Sequence, residues 1–87
     1  RGENLEKAKK MSKKTIEMFP KEANYLDTYA WILYKLNKFE EAKLYMIKAI
    51  EMSESKTFYI HMSKILEKLG EKQESEKYKL KSEELED

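Results

Sequence analysis

Residues 25 to 36, Tyr-Leu-Asp-Thr-Tyr-Ala-Trp-Ile-Leu-Tyr-Lys-Leu, are the most apolar and aromatic stretch of the chain, and they constrain its fold most. At helical spacing they form one apolar stripe, which consists of Leu26, Tyr29, Ala30, Leu33 and Leu36. Four further large side chains fall outside it: Tyr25, Trp31, Ile32 and Tyr34. A helix that is apolar nearly all round needs neighbours on more than one side. We therefore expect this helix to lie in the middle of a helical stack.

Composition narrows the class of protein. The chain has 87 residues, enough for one small domain with a modest core. Its 18 Lys and Arg nearly cancel its 17 Asp and Glu, so the net charge of +1 favours neither nucleic acid nor a membrane as partner. The absence of Cys excludes disulfides, thiol catalysis and the common structural zinc sites. No apolar run is long enough to span a membrane. Because the chain begins at Arg1 and not at Met, we expect it to be a segment of a longer protein.

The breaks in the apolar pattern predict five helices, at about 3–18, 22–36, 39–52, 56–69 and 72–85. Pro20 ends the first helix, because proline forces its predecessor out of helical geometry. Asn37 and Gly70 end the second and fourth helices, because both residue types tolerate the left-handed conformation of a helix terminus. Either Ser53 or Ser55 can cap the start of the fourth helix.

Each of the other helices presents one inward face, and that of the first helix is rather weak. These faces are Leu5, Ala8, Met11 or Ser12, Thr15 and Phe19 in the first helix; Phe39, Ala42, Met46, Ala49 and Ile50 in the third; Tyr59, Met62, Ser63, Leu66 and Leu69 in the fourth; and Ser75, Tyr78, Ser82 and Leu85 in the fifth. The fifth helix is only lightly apolar on one side, so we expect solvent on the rest of it.

The chain repeats itself. A shift of 33 residues lays Leu26, Tyr29, Ala30 and Leu33 over Tyr59, Met62, Ser63 and Leu66, and a shift of 34 lays Ala8, Thr15 and Ile16 over Ala42, Ala49 and Ile50. A helix pair that recurs at this period resembles the tetratricopeptide repeat family. The full copy reads Leu26, Tyr29, Ala30, Leu33, Asn37, Phe39, Ala42, Met46 and Ala49, with Glu54 where the family has Pro. The half copy before it keeps Leu5, Ala8 and Pro20, and the last copy keeps Gly70 but has Lys72, Ser75 and Ser82 in place of an aromatic and two Ala residues.

The resemblance implies an all-α fold, a right-handed α-α superhelix of five antiparallel helices in about two and a half repeats. Residues 3–18 would be the second helix of a preceding repeat, 22–52 a full repeat, and 56–85 a final repeat with a C-terminal capping helix. The Ser and Lys substitutions of the fifth helix suit such a cap, since nothing stacks on its far side. The outer face of the first helix would be incompletely covered.

The resemblance also implies a concave groove lined by the first helix of each pair. Its candidate residues are Asn24, Asp27, Thr28, Trp31, Tyr34 and Lys35, followed by Thr57, Ile60, His61, Lys64 and Lys68. Large aromatic and aliphatic side chains beside three lysines would suit an extended or helical peptide with an apolar anchor and some acidic residues. The competing interpretation, that Trp31 simply packs against the neighbouring first helices, is the favoured one for that residue.

The residues give little support to catalysis, a cofactor or a metal site. His61 is the only His, and it lies about 200° around its helix from Tyr59, so we expect it to face solvent. The adjacent pairs Glu40-Glu41 and Glu83-Glu84 diverge on a helix and make poor acid-base pairs. Family members that bind the acidic C-termini of chaperones use a clamp of Lys and Asn. At those places this chain has Asp27, Trp31 and His61, which disfavours a chaperone co-factor role.

Three functions remain to be compared. The leading hypothesis is a non-catalytic module that binds a protein or peptide. The second is self-association, either through the uncovered first helix or head to tail between a basic start (Arg1, Lys7, Lys9, Lys10, Lys13 and Lys14) and an acidic end (Glu83, Glu84, Glu86 and Asp87). The third is nucleic-acid binding by the same lysines. Steps of 100° spread them around the helix, so a solvated surface is the favoured interpretation.

Overall fold

The computed structural model describes residues 2–85, with side chains described from residue 4 onward. It contains five helices: α1 (Gly2–Met18), α2 (Ala23–Lys35), α3 (Phe39–Met52), α4 (Lys56–Lys68) and α5 (Lys72–Glu84). The all-α prediction is therefore confirmed, and the predicted helix bounds agree to within one residue. Of the predicted basic start and acidic end, Arg1, Glu86 and Asp87 lie outside the described residues.

The helix ends follow the predicted local chemistry. Helix α1 stops two residues before Pro20. Asn37 and Gly70 adopt left-handed backbone conformations, with φ of 64° and 80°, in the turns that follow α2 and α4. Of the two candidate caps, Ser55 is the one used, because its Oγ accepts a hydrogen bond from the backbone N–H of Phe58 at 3.4 Å. These ends keep the connections between helices to three or four residues, which makes successive helices antiparallel neighbours.

Each helix packs against the next one along the chain, and α2 also contacts α4. The central apolar cluster has members in the first four helices: Ile16, Leu26, Tyr29, Ala30, Leu33, Ala42, Met46, Ala49, Phe58, Met62, Ile65 and Leu66. The predicted stripe of α2 is buried except at Leu36, which lies at the C-cap and is half-buried. Helix α2 thus lies between α1, α3 and α4, as its all-round apolar character predicted.

Helix α1 is covered less than its predicted face suggested. Only Ile16 is buried among its described side chains, and Ser12 is half-buried. Met11 and Phe19, both candidates for the inward face, are 69% and 48% exposed. The physical reason is that α1 contacts only α2 among the described helices, so only the strip that faces α2 is covered.

Helix α4 is covered more than predicted. Phe58 and Ile65 are buried beside the predicted Tyr59, Met62, Ser63 and Leu66. This helix contacts α2, α3 and α5, and three neighbours bury more than one stripe. The single-stripe expectation was therefore too narrow for α4.

Helix α5 joins α4 through a buried pair of serines. Ser63 Oγ donates to the Ser75 carbonyl at 2.9 Å, and Ser75 Oγ donates to the Ser63 carbonyl at 2.8 Å. By the 33-residue shift the corresponding pair in the full repeat is Ala30 and Ala42, both completely buried. Small side chains thus occupy the same places in both helix pairs, and the serines add hydrogen bonds that bring the two backbones close together. Ser75 and Ser82 are the buried residues of α5, as predicted.

Candidate functional site

Helices α2 and α4, the first helices of two successive pairs, are joined by a polar contact on the face they share. His61 Nδ1 lies 2.7 Å from Asp27 Oδ1, and the two side chains are 20% and 14% exposed. The two residues are 34 positions apart, one repeat length. In the 33-residue register that aligns α2 with α4, His61 is equivalent to Thr28, the residue after Asp27.

The prediction that His61 faces solvent is wrong. Its side chain is half-buried, and its ring stacks on the Trp31 indole with centroids 4.0 Å apart and planes 17° apart. The 100° helical step does place His61 away from the Tyr59 side of α4. That direction nevertheless points toward α2, because a first helix in the stack has another first helix as its neighbour.

The stack continues along α2 into α3. Trp31 stacks on Tyr34 at 4.4 Å with planes 7° apart, and Tyr34 meets the edge of Phe39 at 5.5 Å. We call His61, Trp31, Tyr34 and Phe39 the aromatic row; all four side chains are half-buried. Offset and edge contacts of this kind each contribute about 0.5 to 1.5 kcal/mol beyond area burial. The Trp31 indole thus packs against α4, in agreement with the packing interpretation.

Three lysines lie on the same helices as the aromatic row. Lys35, Lys64 and Lys68 are exposed, and within residues 4–85 no carboxylate lies within 4.0 Å of them. Lys64 lines a cleft of 410 Å³ between α4 and α5, together with Ile60, Ser63 and Ser75. Ile60 is 37% exposed. The charged side chains of the lining are Lys56, Lys64 and Lys79 and Glu67, Glu76 and Glu83, so the cleft itself has no excess of positive charge.

The structure thus divides the eleven candidate groove residues into two groups. Asp27, Trp31, Tyr34 and His61 form one chain of contacts. The other seven, Asn24, Thr28, Lys35, Thr57, Ile60, Lys64 and Lys68, are exposed, and Thr28 lies on the side of α2 that faces α1. Sequence reasoning assigned Phe39 to the core and missed both its place in the row and the Asp27–His61 contact. The placement of both residues on the face shared by successive first helices was the available signal, because side chains on such a face can meet.

One ring nitrogen of His61, the single histidine of the chain, is hydrogen-bonded to the Asp27 carboxylate. Within the described residues no three His, Asp or Glu side chains are grouped so that they could hold a metal ion. Across the same residues no helix combines the length and the apolar character needed to cross a bilayer.

Comparison with known protein families gives a match. Residues 23–56 match the family profile described as a tetratricopeptide repeat, which covers α2, α3 and the first residue of α4. No curated protein matches the chain. Helices α2 and α3 carry the buried Leu26, Ala30, Leu33, Ala42 and Ala49 on which the resemblance rests. Residues 23–56 are therefore similar to a tetratricopeptide repeat, and the stack of helices is consistent with a tetratricopeptide-like all-α fold.

Proposed function

We propose that the chain is a non-catalytic interaction module whose α2–α4 face binds a peptide segment of a partner protein. Tetratricopeptide repeats generally mediate protein–protein interaction. The observation that carries the proposal is the combination on one face of a fixed, half-buried aromatic row with exposed lysines on the same helices.

Preorganisation supports binding at this face. Asp27 hydrogen-bonds His61, His61 stacks on Trp31, and Trp31 stacks on Tyr34. Rings held in this way lose little side-chain freedom when a ligand covers them, so less of the contact energy is lost to ordering. Tryptophan and tyrosine are also the residue types that most often dominate binding energy at interfaces.

The charges indicate the chemistry of the ligand. Lys35, Lys64 and Lys68 are exposed on the two helices that carry most of the row, and they favour acidic residues in the bound segment. Ile60, which is exposed next to His61 on α4, suits contact with one aliphatic or aromatic side chain. We therefore infer that the ligand is a peptide with an apolar residue flanked by Asp or Glu.

The test is a fluorescence-anisotropy titration with short, capped, fluorescein-labelled peptides that carry Glu around one central Leu or Phe. We expect the Lys64→Glu, Lys68→Glu double variant to bind these peptides about tenfold more weakly. The matched control is Lys72→Glu with Lys77→Glu, which makes the same charge change at exposed positions of α5. Circular dichroism verifies that both variants remain helical.

Two outcomes would contradict the proposal. One is equal weakening by both double variants, because the peptides would then respond only to net charge. The other is equal binding of peptides in which Gln replaces Glu, because the lysines would then play no part in recognition.

A further inference from the structure

A second surface lies about 100° around α2 from the aromatic row, because Ile32 lines it and directly follows Trp31; Lys35 stands between the two surfaces. It is an open groove of 420 Å³ between α1 and α2, which we call the α1–α2 groove. Its lining is mostly apolar and consists of Ala8, Met11, Ser12, Thr15, Tyr25, Thr28 and Ile32. Met11 is 69% exposed and Tyr25 is 40% exposed. Large apolar side chains that are grouped and exposed in this way mark an interaction site.

The internal repeat indicates what shape of partner fits this groove. A shift of 34 residues lays Ala8 and Thr15 over Ala42 and Ala49. Ala42 and Ala49 are completely buried in α3, which packs on the helix before it, α2. In α1 the equivalent positions are only half-buried and line the open groove. An α-helix laid along α1 would cover them as α2 covers α3.

The charges around the groove indicate what kind of helix it takes. Lys7 and Lys14 neighbour Met11 along α1, at four residues before it and three after it, and Lys35 lies three residues after Ile32 on α2. All three lysines are exposed. Glu6 and Glu17, the acidic residues of α1 with described side chains, lie about 160° to 180° around the helix from Ala8. The borders of the groove are therefore positive.

We propose that the α1–α2 groove binds an acidic amphipathic α-helix of another protein. The apolar stripe of that helix contacts Met11, Tyr25 and Ile32, and carboxylates on its flanks face Lys7, Lys14 and Lys35. Helix-in-groove recognition has this form, with apolar anchors at helical spacing. A second copy of α1 in the groove would bring lysines against lysines, which disfavours a symmetric dimer through this face.

The experiment uses the 87-residue chain and a synthetic helical peptide as long as α1, which has 17 residues. The labelled peptide has Leu at helical spacing on one side, Glu on both flanks and Ala elsewhere, and binding is followed by fluorescence anisotropy. We expect Met11→Glu to weaken binding by about tenfold or more. The matched control is Leu44→Glu on α3, the same kind of change at a residue that is 60% exposed and outside the groove. We expect it to change the affinity by less than about twofold.

A second variant and two control peptides test recognition separately from folding. We expect Lys14→Glu to weaken binding of the acidic peptide. The same variant should bind more tightly a peptide in which Lys replaces Glu. Binding of that basic peptide to the unchanged chain as tightly as the acidic one would overturn the proposal. Two further outcomes would overturn it, because a basic surface alone would then explain binding. One is equal binding of a peptide with Ser in place of Leu. The other is displacement of the peptide by an RNA oligonucleotide to the same extent from the unchanged chain and from Met11→Glu.

Light scattering tests the remaining occupant, a second copy of the chain. A monomer with both the parent sequence and Met11→Glu agrees with the proposal. A dimer that Met11→Glu converts to a monomer would overturn it, because the groove would then be filled by self-association. No binding of the acidic helix by a monomeric chain would likewise overturn it.

Discussion

The contact between Asp27 and His61 ties two first helices together through side chains that lie off the inward stripes of both helices. The carboxylate and the ring nitrogen are 2.7 Å apart in a half-buried setting, where a hydrogen bond is stronger than in open water. The same ring stacks on Trp31, so one histidine makes a polar contact and an aromatic contact at once. His61 therefore contributes to the contact between α2 and α4 in two ways.

We expect the Asp27–His61 contact to contribute about 0.5 to 1.5 kcal/mol to the free energy of unfolding. The measurement is a double-mutant cycle with Asp27→Ala, His61→Ala and the combined variant, followed by urea unfolding. Because the two side chains touch, the combined loss should be smaller than the sum of the single losses. Strict additivity would show that the contact is absent in solution.

Tyr29 provides a pH-dependent prediction. Burial raises the pKa of its phenol above the ordinary value of 10.0, with smaller contributions from Tyr45, Glu41 and Glu17. The folded state thus favours the neutral phenol. As the pH rises, the phenol of the unfolded state loses its proton at a lower pH than the phenol of the folded state. The contribution of Tyr29 to stability is fully present below pH 10 and is lost as the pH rises through the folded-state pKa.

The check is urea unfolding at several pH values on both sides of pH 10, with Tyr29→Phe and the control Tyr25→Phe. Tyr25 is 40% exposed. We expect Tyr29→Phe to reduce the alkaline loss of stability and Tyr25→Phe to leave it unchanged. The same alkaline loss in both variants would mean that Tyr29 is not the group responsible.

At the scale of the helices, stability follows the number of neighbours that each helix has. Helix α4 contacts three others and buries six residues. Helices α1 and α5 each contact one neighbour among the described helices, and α1 has one buried described side chain, Ile16, where α5 has two. In a stack of helices the free energy of unfolding is close to a sum of such interface terms, so the helix with the least buried surface opens most easily.

We expect hydrogen exchange to show α1 as the least protected helix and α4 as the most protected. Mass spectrometry of peptic fragments that separate residues 2–18 from residues 56–68 would measure this difference. If the amides of α1 exchanged as slowly as those of α4, the packing order described here would be wrong. Bound acidic helix in the α1–α2 groove should slow exchange in α1, which links this measurement to the docking proposal.

For the whole molecule, the sequence was sufficient to predict what depends on local pattern. The five helices, the left-handed turns at Asn37 and Gly70 and the buried stripe of α2 follow from helical spacing and turn chemistry. Burial of Phe58 and exposure of Met11 depend instead on how many neighbours a helix has, which spacing within one helix does not report. The site was predicted as a set of positions on two helices. Its internal contacts required the packing of α2 on α4.

Two predictions about the whole chain stay predictions. The division into a half repeat at 3–18, a full repeat at 22–52 and a final repeat at 56–85 extends beyond the matched residues 23–56, and we propose it on the internal repeat. Self-association is the other, and light scattering decides it together with the occupant of the α1–α2 groove. Head-to-tail docking in particular depends on charges at both ends of the chain, part of which lie outside the described residues.

The aromatic row also gives the molecule an optical property. Trp31 is the single tryptophan of the chain, and its indole lies against His61 where α2 meets α4. Its emission therefore reports on the contact between α2 and α4, whereas circular dichroism reports on all five helices together. Separation of α2 from α4 would expose the indole to water and to a quencher such as iodide while the helices remain intact. Separation of α2 from α4 and melting of the helices can thus be distinguished without attaching a dye.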